Sequence, residues 1–76
     1  MRKAPPPLEF PVWRSPAGEP LSCAEKIKVL NENLAEIREL AQDALADAIL
    51  MGGDEGQFRA TLERILVSIE NPYGKK

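Results

Sequence analysis

The chain has no histidine and only one cysteine, Cys23. These absences exclude the commonest catalytic base, a disulfide framework within one chain, and the cysteine–histidine sets that hold structural zinc. A domain of 76 residues often depends on such a stabilising element, because its hydrophobic core alone is only marginally sufficient. Association with a second copy, or with another protein, is the stabilising element that remains.

Long apolar runs and an excess of positive charge are also missing. No run approaches the roughly 18 apolar residues of a membrane span, and the first residues lack the apolar stretch of a signal peptide. The net charge is −2, so there is no general basic surface for nucleic-acid phosphates. A single unpaired cysteine is typical of a reducing compartment. We therefore expect a cytoplasmic protein with no membrane and no nucleic-acid partner.

Catalytic motifs are absent as well. The sequence contains no glycine-rich phosphate loop and no nucleophile with an evident activating base. Its paired carboxylates fall on a helix face that we expect to be exposed. The prediction is a protein that is not an enzyme and that has no catalytic residue, no cofactor and no metal.

Proline dominates residues 1–21, which contain six of the seven prolines in the chain. Proline lacks a backbone donor and disfavours helix in the residue before it, so this segment is predicted to be an extended arm. The arm also contains Phe10 and Trp13. These aromatics are interpreted as lids over uncovered helix surface, with anchors in a partner protein as the alternative.

Two helices are predicted after the arm, at about 22–51 and about 54–70. Ser22 with Glu25, and Asp54 with Gln57, form capping-box patterns, and Gly52-Gly53 ends the first helix. The apolar residues of both helices recur at spacings of three and four: Ile27, Leu30, Leu34, Ile37, Ala41, Ala44, Ala48 and Met51, then Phe58, Leu62, Ile65 and Ile69. The predicted fold is all-α, an antiparallel helical hairpin over 22–73 followed by a frayed tail at 74–76.

The predicted hairpin has a constant register and unequal helices. Small residues of the first helix oppose large residues of the second in most pairs: Ala48 with Phe58, Ala44 with Leu62, Ala41 with Ile65, and Ile37 with Ile69. The shorter helix spans roughly 24 Å against roughly 43 Å for the longer one, so it leaves part of the first helix uncovered. Candidate interaction residues are those left uncovered or off the seam: Ile27, Leu30, Leu34, Leu40, Leu45, Ile49 and Leu66. We expect a homodimer with a four-helix arrangement, or an unknown protein partner in its place.

Two polar features have alternative interpretations. Acidic side chains recur along the first helix and form an acidic ridge, consisting of Glu32, Glu36, Glu39, Asp43 and Asp47. This ridge is interpreted as a solvated face, a docking face for a basic partner, or a weak divalent-cation site. Cys23, at the start of the first helix, is either a redox-sensitive thiol or simply a small residue beneath the arm.

The run from Leu21 to Leu34, with Met51-Gly52 and the closing Glu70-Asn71-Pro72-Tyr73, resembles a family of small uncharacterised bacterial proteins. That resemblance implies no activity for any residue. The leading hypothesis from the residues is a non-catalytic interaction or regulatory module. The alternatives are an accessory subunit of a larger enzyme complex and a metal- or redox-responsive regulator.

Overall fold

Two helices make up the regular structure of residues 6–74. A computed structural model describes residues 6–74, with α1 spanning Ala24–Leu50 and α2 spanning Glu55–Val67. No strand occurs among the described residues. The predicted all-α class with two helices is therefore confirmed. Neither helix in residues 6–74 is long and apolar enough to cross a membrane.

The start of α1 differs slightly from its prediction. The first helical hydrogen bond runs from the Ile27 amide to the Cys23 carbonyl at 3.1 Å. Cys23, rather than Ser22, therefore occupies the position immediately before the helix, and α1 begins at Ala24.

The end of α1 is a Schellman motif. The Gly53 amide donates to the Ala48 carbonyl at 2.7 Å, and the Gly52 amide donates to the Ile49 carbonyl at 3.0 Å. Gly52 has φ +90°, the left-handed conformation that glycine adopts without steric cost. A Cβ on Gly53 would lie 3.0 Å from the Ala48 carbonyl oxygen. Gly52 is thus favoured by its backbone conformation, and a side chain at Gly53 would contact the Ala48 carbonyl tightly.

Replacing Gly52 should destabilise the fold measurably. A Gly52→Ala variant forces an L side chain into φ +90°, and we expect a loss of about 1 kcal/mol in the free energy of unfolding. Urea unfolding followed by circular dichroism measures that loss. Gly74→Ala is the matched control. Gly74 has φ +101° but ends no helix, so this variant shows how much of the loss comes from backbone strain alone. Equal stability of the Gly52→Ala variant and the parent would contradict the stop-signal assignment.

The start of α2 agrees with its capping prediction, and its end does not. The Asp54 carboxylate accepts a hydrogen bond from the Gln57 amide at 2.8 Å. The helix ends at Val67, where the Ser68 hydroxyl donates to the Ile65 carbonyl and the Ser68 amide closes the last turn. Ile69, predicted to be the last apolar residue of this helix, lies beyond it and is exposed.

The second half of the arm folds back on itself and is not extended. The Ser15 amide donates to the Glu19 carbonyl, and the Leu21 amide donates to the Trp13 carbonyl, each at 2.8 Å. Between them, Gly18 adopts φ +96° and its amide donates to the Ser15 carbonyl. This is the pattern of a three-residue hairpin loop with a glycine bulge. It makes one isolated bridge, from Arg14 to Pro20.

The chain forms two compact units, one ending at Glu39 and one beginning at Leu40, and α1 runs through both. The second unit contains the last turns of α1, the Gly52-Gly53 turn and α2. Its half-buried side chains include Ala41, Leu45 and Ala48 on α1 and Phe58 and Leu62 on α2. Leu45, expected off the packed face, is thus on it, whereas Ala44 is exposed.

No side chain among residues 6–74 is buried. The described part of the chain therefore lacks the buried core of an ordinary small domain.

Candidate interaction surface

The arm is attached to one face of α1 by two side-chain hydrogen bonds. The Trp13 indole N–H donates to Asn31 Oδ1 at 2.7 Å, and the Arg38 guanidinium donates to the Pro6 carbonyl. Trp13, Asn31 and Arg38 are all half-buried. Because residue 13 meets residue 31 and residue 6 meets residue 38, the arm runs antiparallel to α1. Trp13 therefore lies over helix surface, where the lid hypothesis places it, while Phe10 is exposed.

Four half-buried residues form a line on α1, and two of them hold the arm. Ile27, Asn31, Ala35 and Arg38 are half-buried and recur at spacings of four, four and three, as one helix face requires. We call these four residues the arm-covered line. Of the residues predicted to be left uncovered by the second helix, Ile27 belongs to this line. The arm is therefore attached to the side of α1 on which Asn31 and Arg38 lie.

Apolar side chains remain on the free side of the same stretch of helix. Ile37 is 51% exposed and Val29 is 52% exposed, while Leu34 is also exposed and Leu30 is half-buried. Leu21, Val29 and Leu30 line an open cleft of about 420 Å³ together with Glu25 and Lys26. We call Val29, Leu30, Asn33 and Ile37 the free stripe. Of the predicted interaction residues, Leu30 lies on this stripe and Leu34 lies at its edge.

The second unit also exposes apolar side chains. Leu40 and Ile49 on α1, and Leu66 on α2, are exposed, as predicted for residues away from the helix–helix contact. Val67, at the end of α2, is 84% exposed. Leu45 is the exception among the predicted candidates, because it is half-buried. These residues add apolar surface without forming an enclosed site.

The acidic ridge is a row of exposed carboxylates. Glu32, Glu36, Glu39, Asp43 and Asp47 all lie on α1 and are all exposed. Glu32 lies 4.0 Å from Lys28 Nζ, at the limit of an ion pair, and both side chains are largely solvated. Such a pair contributes little to stability. Within residues 6–74 no three acidic, cysteine or histidine residues cluster closely enough to hold a metal ion.

Cys23 is a free, exposed thiol. Its backbone carbonyl accepts the first hydrogen bond of α1, so the side chain stands at the positive end of the helix dipole. It is not tucked beneath the arm, because it is exposed. Its redox role stays a prediction.

Sequence reasoning missed Asn31 and Arg38, the two α1 residues that hold the arm. A signal for Asn31 was present, since a short amide placed among apolar helix positions commonly has a polar partner. Its partner could not be named from the sequence, because the indole of Trp13 reaches it only after the arm folds back.

Comparisons with known proteins add no relative. No protein-family model, curated protein or solved structure matches the chain.

Proposed function

We propose that the protein is a non-catalytic interaction module that works as an assembly of its own chain. The observation that supports this proposal most strongly is that no described side chain is buried. A fold of this size, stabilised by a few kcal/mol, depends on removing apolar surface from water at about 25 cal/mol per Å². A second copy supplies the missing apolar contacts, and the pair then presents the acidic ridges as its outer surface.

The arrangement of the surfaces also supports this proposal. The arm covers one side of α1 through Trp13 and Arg38, so the apolar residues on the other side are not needed for that contact. The acidic ridge provides the charge that keeps the outer surface of an assembly solvated. In the regulatory form of this proposal, a basic protein in the cytoplasm binds the acidic ridge.

Molar mass in solution tests this proposal. Light scattering on a sizing column, in reducing buffer, should give about twice the 8.4 kDa chain mass. Reducing buffer excludes a disulfide through Cys23 as the cause of a dimer mass. A monomer mass would overturn self-association, and it would favour the alternative in which another protein of a larger complex occupies the apolar surface.

A further inference from the structure

The arm is a segment with its own binding surface on α1, joined to that helix by a tight turn. Its two hydrogen bonds to the helix run from the Trp13 indole to Asn31, and from the Arg38 guanidinium to the Pro6 carbonyl. Both contacts lie within the first compact unit. The hairpin loop, closed by backbone hydrogen bonds at 15–19, connects the arm to the helix. A segment joined in this way binds the same surface on a second copy when its turn opens.

The turn has the features of a hinge. Residues 16–20 are all exposed, so water replaces the hydrogen bonds of the loop when it opens. Pro16 and Pro20 disfavour helix in the residues before them and are compatible with an extended chain. Once extended, residues 14–21 span up to about 26 Å, whereas a helix with its side chains is about 10–12 Å in diameter. The arm is therefore long enough to reach a second α1 that lies beside its own.

We propose that two copies of the chain exchange their arms, so that the arm of each copy binds α1 of the other. This inference rests on the self-association proposed above and names the residues that each copy contributes. Trp13 of one copy donates to Asn31 of the second copy, and Arg38 of the second copy donates to the Pro6 carbonyl of the first. The contact is isologous, because each copy gives one arm and receives one.

The gain from exchange lies outside the arm contact itself. An arm makes the same contacts with its own α1 as with a second one, so those contacts alone favour neither form. Exchange in addition holds a second α1 beside the first. No side chain is buried among residues 6–74, and Val29 and Ile37 are about half exposed. Apolar surface covered between the two copies is removed from water only in the pair, and this favours the exchanged form.

A mixture of two variants tests the exchange. Trp13→Ala damages the arm and leaves α1 intact, whereas Asn31→Ala damages the surface of α1 and leaves the arm intact. In an exchanged heterodimer, the arm of the Asn31→Ala chain binds α1 of the Trp13→Ala chain, so one complete contact is restored. Neither homodimer contains a complete contact. In a dimer without exchange, each arm stays on its own helix, and mixing restores nothing.

The expected excess of heterodimer follows from the lost hydrogen bond. Its loss weakens each arm contact about fivefold, and the Asn31→Ala homodimer contains two such contacts. In the heterodimer this loss has no separate effect, because the damaged α1 receives an arm that already lacks its indole. The heterodimer is therefore favoured about 25-fold over a random distribution, so an equimolar mixture should contain about 80% heterodimer. Without exchange, the heterodimer is half of all dimers. Native mass spectrometry separates the three dimers by mass.

Val12→Ala mixed with Asn31→Ala is the matched control. Val12 adjoins Trp13 in the arm but is 64% exposed, and its truncation leaves the indole donor in place. We expect the heterodimer to be half of all dimers in this mixture. Circular dichroism verifies that each variant retains its helices.

A second measurement needs no variant. Isotope-labelled and unlabelled parent chains are mixed, and isotope-filtered NMR detects whether the Trp13 indole lies beside Asn31 of its own copy or of the other. We expect the contact between copies. This measurement decides alone if the Trp13→Ala chain has lost its helices.

The outcomes separate this inference from the proposal beneath it. Excess heterodimer in the first mixture only, with Trp13 beside Asn31 of the other copy, supports arm exchange. A random distribution in both mixtures, or contacts within one copy only, overturns the exchange and leaves self-association intact. A parent protein that is monomeric at every concentration overturns both.

Discussion

An Ile37→Lys variant should dissociate at concentrations where the parent protein is dimeric. Ile37 is 51% exposed in the single chain, so about half of its side chain remains to be covered by a second copy. Full burial of an isoleucine side chain stabilises by about 1.5–3 kcal/mol. A symmetric dimer contains Ile37 twice. The lost burial is therefore about 1.5–3 kcal/mol per dimer, which raises the dissociation constant roughly 10- to 100-fold.

The matched control for this variant is Val67→Lys. Val67 is 84% exposed at the end of α2, outside the free stripe, and the substitution makes the same exchange of an apolar residue for lysine. We expect its dissociation constant to equal that of the parent within the error of the measurement. Circular dichroism of Ile37→Lys must show retained helix for the comparison to hold. Equal weakening by both variants would mean that the free stripe does not contact a second copy.

A Trp13→Ala variant should lose much of the stability of the first unit. Trp13 is half-buried against α1, and its indole donates to Asn31 at 2.7 Å. Half of the usual cost of truncating a buried tryptophan, with the lost hydrogen bond, gives about 2–3 kcal/mol in the free energy of unfolding. This is a large fraction of the total for a domain of this size. Urea unfolding followed by circular dichroism measures the loss.

Two controls separate the parts of this effect. Val12→Ala removes a neighbouring side chain that is 64% exposed, and we expect a change of only a few tenths of a kcal/mol. Trp13→Phe keeps the aromatic body and removes the indole donor, so we expect a loss of about 1 kcal/mol. If Trp13→Ala were as stable as the parent, the arm would contribute nothing to the fold and the lid hypothesis would be wrong.

The helices were predictable because their ends have local chemical causes. Gly52 and Gly53 stop α1 through backbone conformation alone, and Asp54 caps α2 through one hydrogen bond. Neither depends on distant parts of the chain, so the residue types suffice. The end of α2 was missed because Asn71-Pro72 is the strongest stop signal in that part of the sequence, whereas the helix ends earlier, at Val67.

The folded part of the arm was also missed, although its signal was present. Ser15-Pro16-Ala17-Gly18 has proline and glycine at positions that favour a tight turn and a bulge. The abundance of proline around it favours an extended chain, and that compositional prediction was wrong for residues 13–21. A local turn pattern is decided by particular positions, whereas composition averages over them.

The packed face of α1 could not be chosen from periodicity. Leu30, Ile37 and Ala44 have the same seven-residue spacing as Asn31, Arg38 and Leu45. The apolar pattern favours the first set, but the half-buried residues are mainly those of the second, together with Leu30. The deciding contacts are polar and distant in sequence: Trp13 with Asn31, and Pro6 with Arg38. The candidate surface for a second copy is the free stripe, which lies beside the residues that these contacts involve.

Molar mass across a dilution series is the most direct test of the claim that a second copy completes this fold. We predict about twice the 8.4 kDa chain mass by light scattering at high concentration in reducing buffer, falling toward the chain mass on dilution. Helix content should fall over the same range, because the single chain has no buried side chain among residues 6–74. A monomer with full helix content at every concentration would contradict the account.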